Sequence, residues 1–162
     1  MLLLGLWLGS AIFFGAAVAP ALFGVLRGAG LVNANELAGS IVTRLLGLIN
    51  QGGFEIALFL FITAWFIDRN RRPAPRIVEM ISLAIMAIMT GVSYWVISAR
   101  MLELRRSMGL PIDQVSPLDP RRITFDSLHR YSVIVMGVAI IAGAVAFLIA
   151  SWRGNYQTPE TD

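Results

Sequence analysis

Four long stretches of the chain are almost free of charge, and the polar residues gather between them. Met1 to Leu26, Met80 to Ala99 and Tyr131 to Trp152 contain no charged side chain, and Leu45 to Ile67 contains one, Glu55. A hydrocarbon layer about 30 Å thick needs roughly 20 apolar residues in a helix, so each stretch predicts one membrane-spanning helix. Helices are required because lipid cannot satisfy the open edge of a sheet. The helices read from this pattern cover residues 2–26, 40–67, 77–108 and 120–152, and 153–162 reads as a flexible tail. The expected fold is an all-α membrane protein: a four-transmembrane-helix bundle, 1–162 as one domain, with both termini on the same side.

The connections carry turn chemistry. Arg27 to Glu36 (RGAGLVNANE) is a short polar link, and Asp68 to Arg76 (DRNRRPAPR) is a basic turn broken by Pro73 and Pro75. The long connection, Arg100 to Arg130, is expected to be partly helical. Its first part, RMLELRRSM, extends the third helix until Gly109 and Pro111 stop it. Asp119 then reads as an N-cap with Pro120 at the first helical position. Ala17 and Ala19 resemble a cleavage site, but no basic residue precedes the run and Pro20 would follow the cut, so a retained helix is expected.

Composition agrees with this picture. With 57% apolar and 14% charged residues, a chain of 162 residues has more apolar surface than one soluble core can hide. The surplus makes the lipid bilayer the first expected partner. The absence of cysteine excludes disulfides and thiolate metal sites. The arginines flank apolar runs, which argues against a nucleic-acid partner. Arg27, Arg100, Arg105, Arg106, Arg121, Arg122 and Arg130 stand on one side; Arg69, Arg71, Arg72, Arg76 and Arg153 stand on the other. That balance leaves the orientation open.

Small residues let helices approach closely in lipid. Gly5, Gly9, Ala11, Gly15 and Ala19 mark the first span, and Ala139, Ala142, Gly143 and Ala146 the fourth. These faces are expected to pack within the chain, with a homo-oligomer or a larger membrane complex as the alternative. Trp7, Trp65, Trp95 and Trp152 are expected as interface anchors.

The candidate chemistry centres on Glu55. An acidic side chain at mid-span costs about 2.5–3.5 kcal/mol on the insertion scale, so it is not expected to face lipid. Arg44, Gln51 and Glu55 share one helix face with Asn50 beside it. Matching depths across the bundle pairs Glu55 with Thr90, and Asn50 and Gln51 with Ser93 and Tyr94. Pro20 leaves the Ala16 carbonyl without its helical donor, a second acceptor near the depth of Glu55. The stripe reads either as inter-helix glue or as a proton, ion or solute site.

His129, the single histidine, supports neither bis-histidine haem ligation nor a multi-histidine metal site. Met80, Met86 and Met89 read as space-fillers rather than a Cu(I) box. No cofactor and no metal are expected, and no nucleophile–base pair, phosphate loop or metalloprotease signature argues for an enzyme.

Three segments, WLGSAIFFGAAVAPALF (Trp7 to Phe23), NELAG (Asn35 to Gly39) and FDSLHRYS (Phe125 to Ser132), resemble the transmembrane protein 205-like family of small four-helix membrane proteins of unknown function. A more distant likeness is to copper-resistance membrane proteins of the D type. The resemblance singles out Pro20, Phe23, Gly39, Phe125, His129 and Ser132. Where such proteins carry an asparagine after the His-x-x-Ser element, this chain has Val135 and Met136. It implies a bacterial inner-membrane protein without an established activity. The leading expectation is a non-catalytic accessory or scaffold subunit that docks other membrane proteins. The alternative is a small transport or permeation protein for a proton, ion, metal or small solute, working through the Glu55 stripe.

Overall fold

A computed structural model describes residues 1–66 and 73–154. Most of the basic turn at 68–76 and residues 155–162 of the expected flexible tail lie outside the described residues. Among the described residues there is no strand, and four helical spans are long and apolar enough to cross a membrane: Leu2–Gly28, Ala34–Phe66, Ala74–Met108 and Pro120–Trp152.

The first span is built from α1 (Leu2–Phe13), a widened π turn (Phe14–Val18) and α2 (Ala19–Gly28). Pro20 explains the widening. Its ring would collide with the Ala16 carbonyl in a regular helix, and here the Ala19 N–H reaches back to the Phe14 carbonyl instead. Gly30, at φ +68°, turns the chain into α3 (Ala34–Phe66). This helix begins well before residue 40, where hydropathy alone places its start. The reason is a cap from a distant loop, described below.

The third span joins α4 (Pro73–Gly91), a second π turn (Val92–Ser98) and α5 (Ala99–Met108). The Ser98 hydroxyl donates to the Ser93 carbonyl at 2.8 Å, a side chain entering the backbone ladder where the helix widens. Gly109 at φ +67° ends α5 in the left-handed conformation that glycine adopts without strain. A 3₁₀ turn (Ile112–Gln114) follows, and α6 runs from Pro120 to Gly154. Asp119 caps it, accepting from the Arg121 N–H at 2.8 Å.

α4 lies between α3 and α6, α1 touches both α3 and α6, and α2 rests on α3. Leu4, Trp7, Leu8 and Ala11 of α1 meet Ala57 of α3, Leu83 and Met86 of α4, and Ala139, Ala142 and Ala146 of α6 in one core. The fourth-span small residues thus face inward. Gly5 turns to Phe147, while Gly9 and Gly15 look outward onto open space.

Trp7 departs from the anchor expectation. It is 5% exposed, against 54%, 53% and 71% for Trp65, Trp95 and Trp152. Its indole N–H donates to the Ile49 carbonyl at 2.8 Å, so the polar tip is satisfied by backbone rather than by a headgroup. Met86, wholly buried, fills the same core beside Gly143.

Candidate functional site

The polar stripe divides into two halves facing opposite ways. Asn50 is wholly buried and donates through Nδ2 to Ser93 Oγ at 2.9 Å; its Oδ1 has no partner among the described residues. The depth match of Asn50 to Ser93 is therefore realised as a hydrogen bond. Thr90 is also wholly buried, but its hydroxyl donates to the Met86 carbonyl of its own helix at 2.8 Å. Tyr94 packs over Gly47 and sets its ring edge-on to Trp95.

Arg44, Gln51 and Glu55 lie on the outer face of α3, all exposed. Gln51 Nε2 donates to Glu55 Oε1 at 3.0 Å, one turn along the same helix. Glu55 thus meets neither Thr90 nor the Ala16 carbonyl, as depth matching had suggested. Matching depth fixes height along the membrane normal but leaves rotation about the helix axis free. Gly53, Ala57 and Ala64 set that rotation: they are buried on the opposite face, where small residues let α3 close on its neighbours.

The second feature is a cavity of about 510 Å³ at the end of the molecule where the first and third connections lie. Its walls include Phe23, Gly39, Phe125, His129 and Ser132, so five of the six residues singled out by family resemblance converge there; Pro20 does not. Arg27, Arg105, Arg122, Asp113 and Asp126 also line it.

The rim is held by a reciprocal clamp. Asp113 Oδ2 accepts from the Glu36 backbone N–H at 3.0 Å, and Glu36 Oε2 accepts from the Ile112 N–H at 3.1 Å. Each carboxylate caps the first turn of the other's helix, satisfying donors that a helix start leaves open and complementing its positive end. Asn35 donates to the other oxygen of Asp113 and accepts from Arg27 Nε at 2.7 Å. Arg105 reaches over from α5, its Nε 3.4 Å from Glu36 Oε1 and its Nη1 3.1 Å from Ser40 Oγ. A β-carbon on Gly39 would lie 2.8 Å from Arg105 Nη2, so glycine at this position admits the guanidinium. Arg122 ties the loop from the other side by donating to the Ile112 and Val115 carbonyls.

His129 is exposed at the cavity wall, and among the described residues its ring makes no hydrogen bond; Ser132 Oγ donates to the His129 carbonyl at 2.7 Å. Sequence reasoning did not single out Arg105, Asp113 or Arg122. Their partners stand far off in the chain, Asp113 being 77 residues from Glu36, and no local spacing announces such a contact. Glu79, buried on α4, was likewise not singled out.

Four long apolar helices, packed through small residues and wrapped in outward-facing isoleucine, leucine and phenylalanine, define the class as a helical membrane-type protein. Residues 2–109 match the family described as Domain of unknown function (DUF4149), and the chain belongs to that family. The FDSLHRYS element lies beyond the matched residues. No curated protein and no solved structure matches the chain.

Proposed function

We propose that this protein is a non-catalytic accessory or scaffold subunit of the bacterial inner membrane, a four-helix bundle with a partly helical loop between helices 3 and 4. It docks other membrane helices through the outer face of α3. The location follows the resemblance to the transmembrane protein 205-like family, whose bacterial members share this size and helix number. One observation carries the docking role: Gln51 and Glu55 point out of the chain at mid-span. Glu55 stands eleven residues after Arg44 and ten before Trp65, two exposed side chains of the kind that mark headgroup level. A carboxyl at that depth is costly against lipid, and a partner that hydrogen-bonds to it removes the cost. The second span also offers the most surface, since only 17% of its most apolar window is buried, against 28%, 39% and 28% in the others.

The test is a photoreactive residue placed at Leu48 or Leu58, both exposed beside Glu55, with Ile141 on the outer face of α6 as control. In native membranes the α3 positions are expected to capture protein and Ile141 lipid. Lipid adducts alone at all three positions would overturn the docking role.

The cavity favours a second reading, the exchange of a small polar solute at the loop end. Glu55 is not among its walls, so this reading no longer rests on the stripe. Native mass spectrometry of gently extracted protein tests it: a retained small molecule supports the reading, and a bare chain opposes it.

A further inference from the structure

Resting on the docking role proposed above, we infer that the occupant of the outer face of α3 is a second copy of this chain, joined about a two-fold axis along the membrane normal through Leu48, Gln51, Gly52, Glu55 and Leu58. Three observations combine.

The face is self-complementary. Gln51 brings an amide donor and Glu55 an acceptor, one turn apart on the same side of the helix. A two-fold copy stands at the same depth by symmetry, so each Gln51 can donate to the partner copy's Glu55 in place of its own. An unrelated helix would have to supply a donor at that depth, whereas a second copy always does.

Gly52 is the second observation. Four glycines fall within α3 beyond its first turn. A β-carbon would crowd Arg105 at Gly39 and Trp7 at Gly53 and would make ordinary contact with Tyr94 at Gly47; at Gly52 it would meet nothing within 4 Å. A glycine in mid-helix is less favourable than an alanine, and nothing among the described residues uses the space it leaves. Gly52 sits between Leu48 and Glu55 on the helix surface, where its bare backbone lets a neighbouring helix come close.

The third observation is the apolar flank. Leu48, Leu58 and Ile62 are 66%, 42% and 47% exposed on the same side. They provide packing above and below the polar pair, as apolar seam positions do around a single polar layer in a coiled coil. Arg44, at the loop-side end, stands where its long side chain can reach lipid headgroups, so two facing copies do not confront each other in the hydrocarbon.

The chain has no cysteine, so a single introduced thiol forms a disulfide only between chains. The variants are Leu48→Cys, Leu58→Cys and the control Ile141→Cys, oxidised in proteoliposomes of the purified protein, where no other membrane protein is present. Disulfide dimers are expected from the two α3 positions and not from Ile141. Adding Gly52→Leu to Leu48→Cys should abolish the dimer without unfolding the chain, since the new side chain meets open space. Glu55→Leu in that background should weaken dimerisation about 10- to 300-fold, the equivalent of the two symmetric interhelical hydrogen bonds it removes, and Glu55→Gln should leave it intact. Equal cross-linking at all three positions, or none at Leu48 and Leu58, overturns the second copy. If the photoreactive positions still capture a different protein in native membranes, the docking role survives that loss; if they capture only lipid, both fall.

Discussion

The Trp7 indole occupies the space that a side chain at Gly53 would need. A β-carbon built on Gly53 lies 2.5 Å from Trp7 Nε1, the same nitrogen that donates to the Ile49 carbonyl one turn earlier on α3. The glycine brings ring and helix into contact, and the hydrogen bond fixes the ring there. On the far side, Gly143 leaves room for the same ring, with a β-carbon 3.1 Å from Trp7 Cζ3. Trp7 thus joins α1 to both α3 and α6.

Gly53→Ala is therefore expected to destabilise the fold by about 1–3 kcal/mol, the usual penalty for overfilling a packed interior. Trp7→Phe keeps most of the apolar volume and removes the donor, so it should lose only about 0.6–1.7 kcal/mol. Reversible unfolding in mixed micelles measures both. A neutral Gly53→Ala would show that α1 and α3 are not in close contact.

Asp113→Ala should loosen the loop end while leaving the membrane-embedded helices in place. It strands the Glu36 N–H and removes the anchor for Asn35, a loss comparable to deleting an N-cap, about 0.5–2 kcal/mol. Amide exchange should accelerate at Glu36, Ile112 and Gln114 and stay unchanged at Ala57 and Ala139. Unchanged exchange at Glu36 would mean that the clamp does not form.

Gly39→Ala is expected to push the Arg105 guanidinium away, because the end of a flexible side chain moves more easily than backbone. The global fold should persist while the contacts of Arg105 with Glu36 and Ser40 are lost. The side-chain resonances of Arg105 report this directly, and their persistence would contradict the tight fit at Gly39.

The start of α6 should be sensitive to acid. The Arg121 guanidinium, followed by the Arg121 backbone N–H, lowers the Asp119 carboxyl from 3.8 to about 2. A carboxyl lowered in the folded state contributes its stability in full above its unfolded value. That contribution fades as the pH falls from about 4 toward 2. The Arg121 amide should therefore keep its protection, measured against its intrinsic exchange rate, at pH 5 and lose it near pH 2. A protection factor constant across that range would show that Asp119 is not the cap.

The four apolar spans were legible because crossing lipid is a matter of run length, which a sequence displays directly. Gly109 and Asp119–Pro120 were legible too, since helix ends have local chemistry. The start of α3 was not, because its cap, Asp113, comes from the far side of two spans. Nor was the direction of Glu55. In a helix that is apolar nearly all round, hydropathy does not say which side is packed. The readable signal was Gly53, Ala57 and Ala64, small residues roughly half a turn round from Glu55, which mark the packed face and leave the carboxyl on the other. The resemblance named five cavity residues but could not supply Arg105, Arg122 and Asp113, which complete the wall.

The outward direction of the Gln51–Glu55 pair underlies the docking role, and nuclear Overhauser contacts of the side-chain amides in micelles test it most directly. The Asn50 amide should show contacts to Ser93, which serves as the internal control for an inward-facing group. The Gln51 amide should show contacts to Glu55 and otherwise to detergent chains or the equivalent face of a second copy. Cross-peaks from Gln51 or Glu55 to Thr90 or Met86 would place the pair inside the protein and contradict the account.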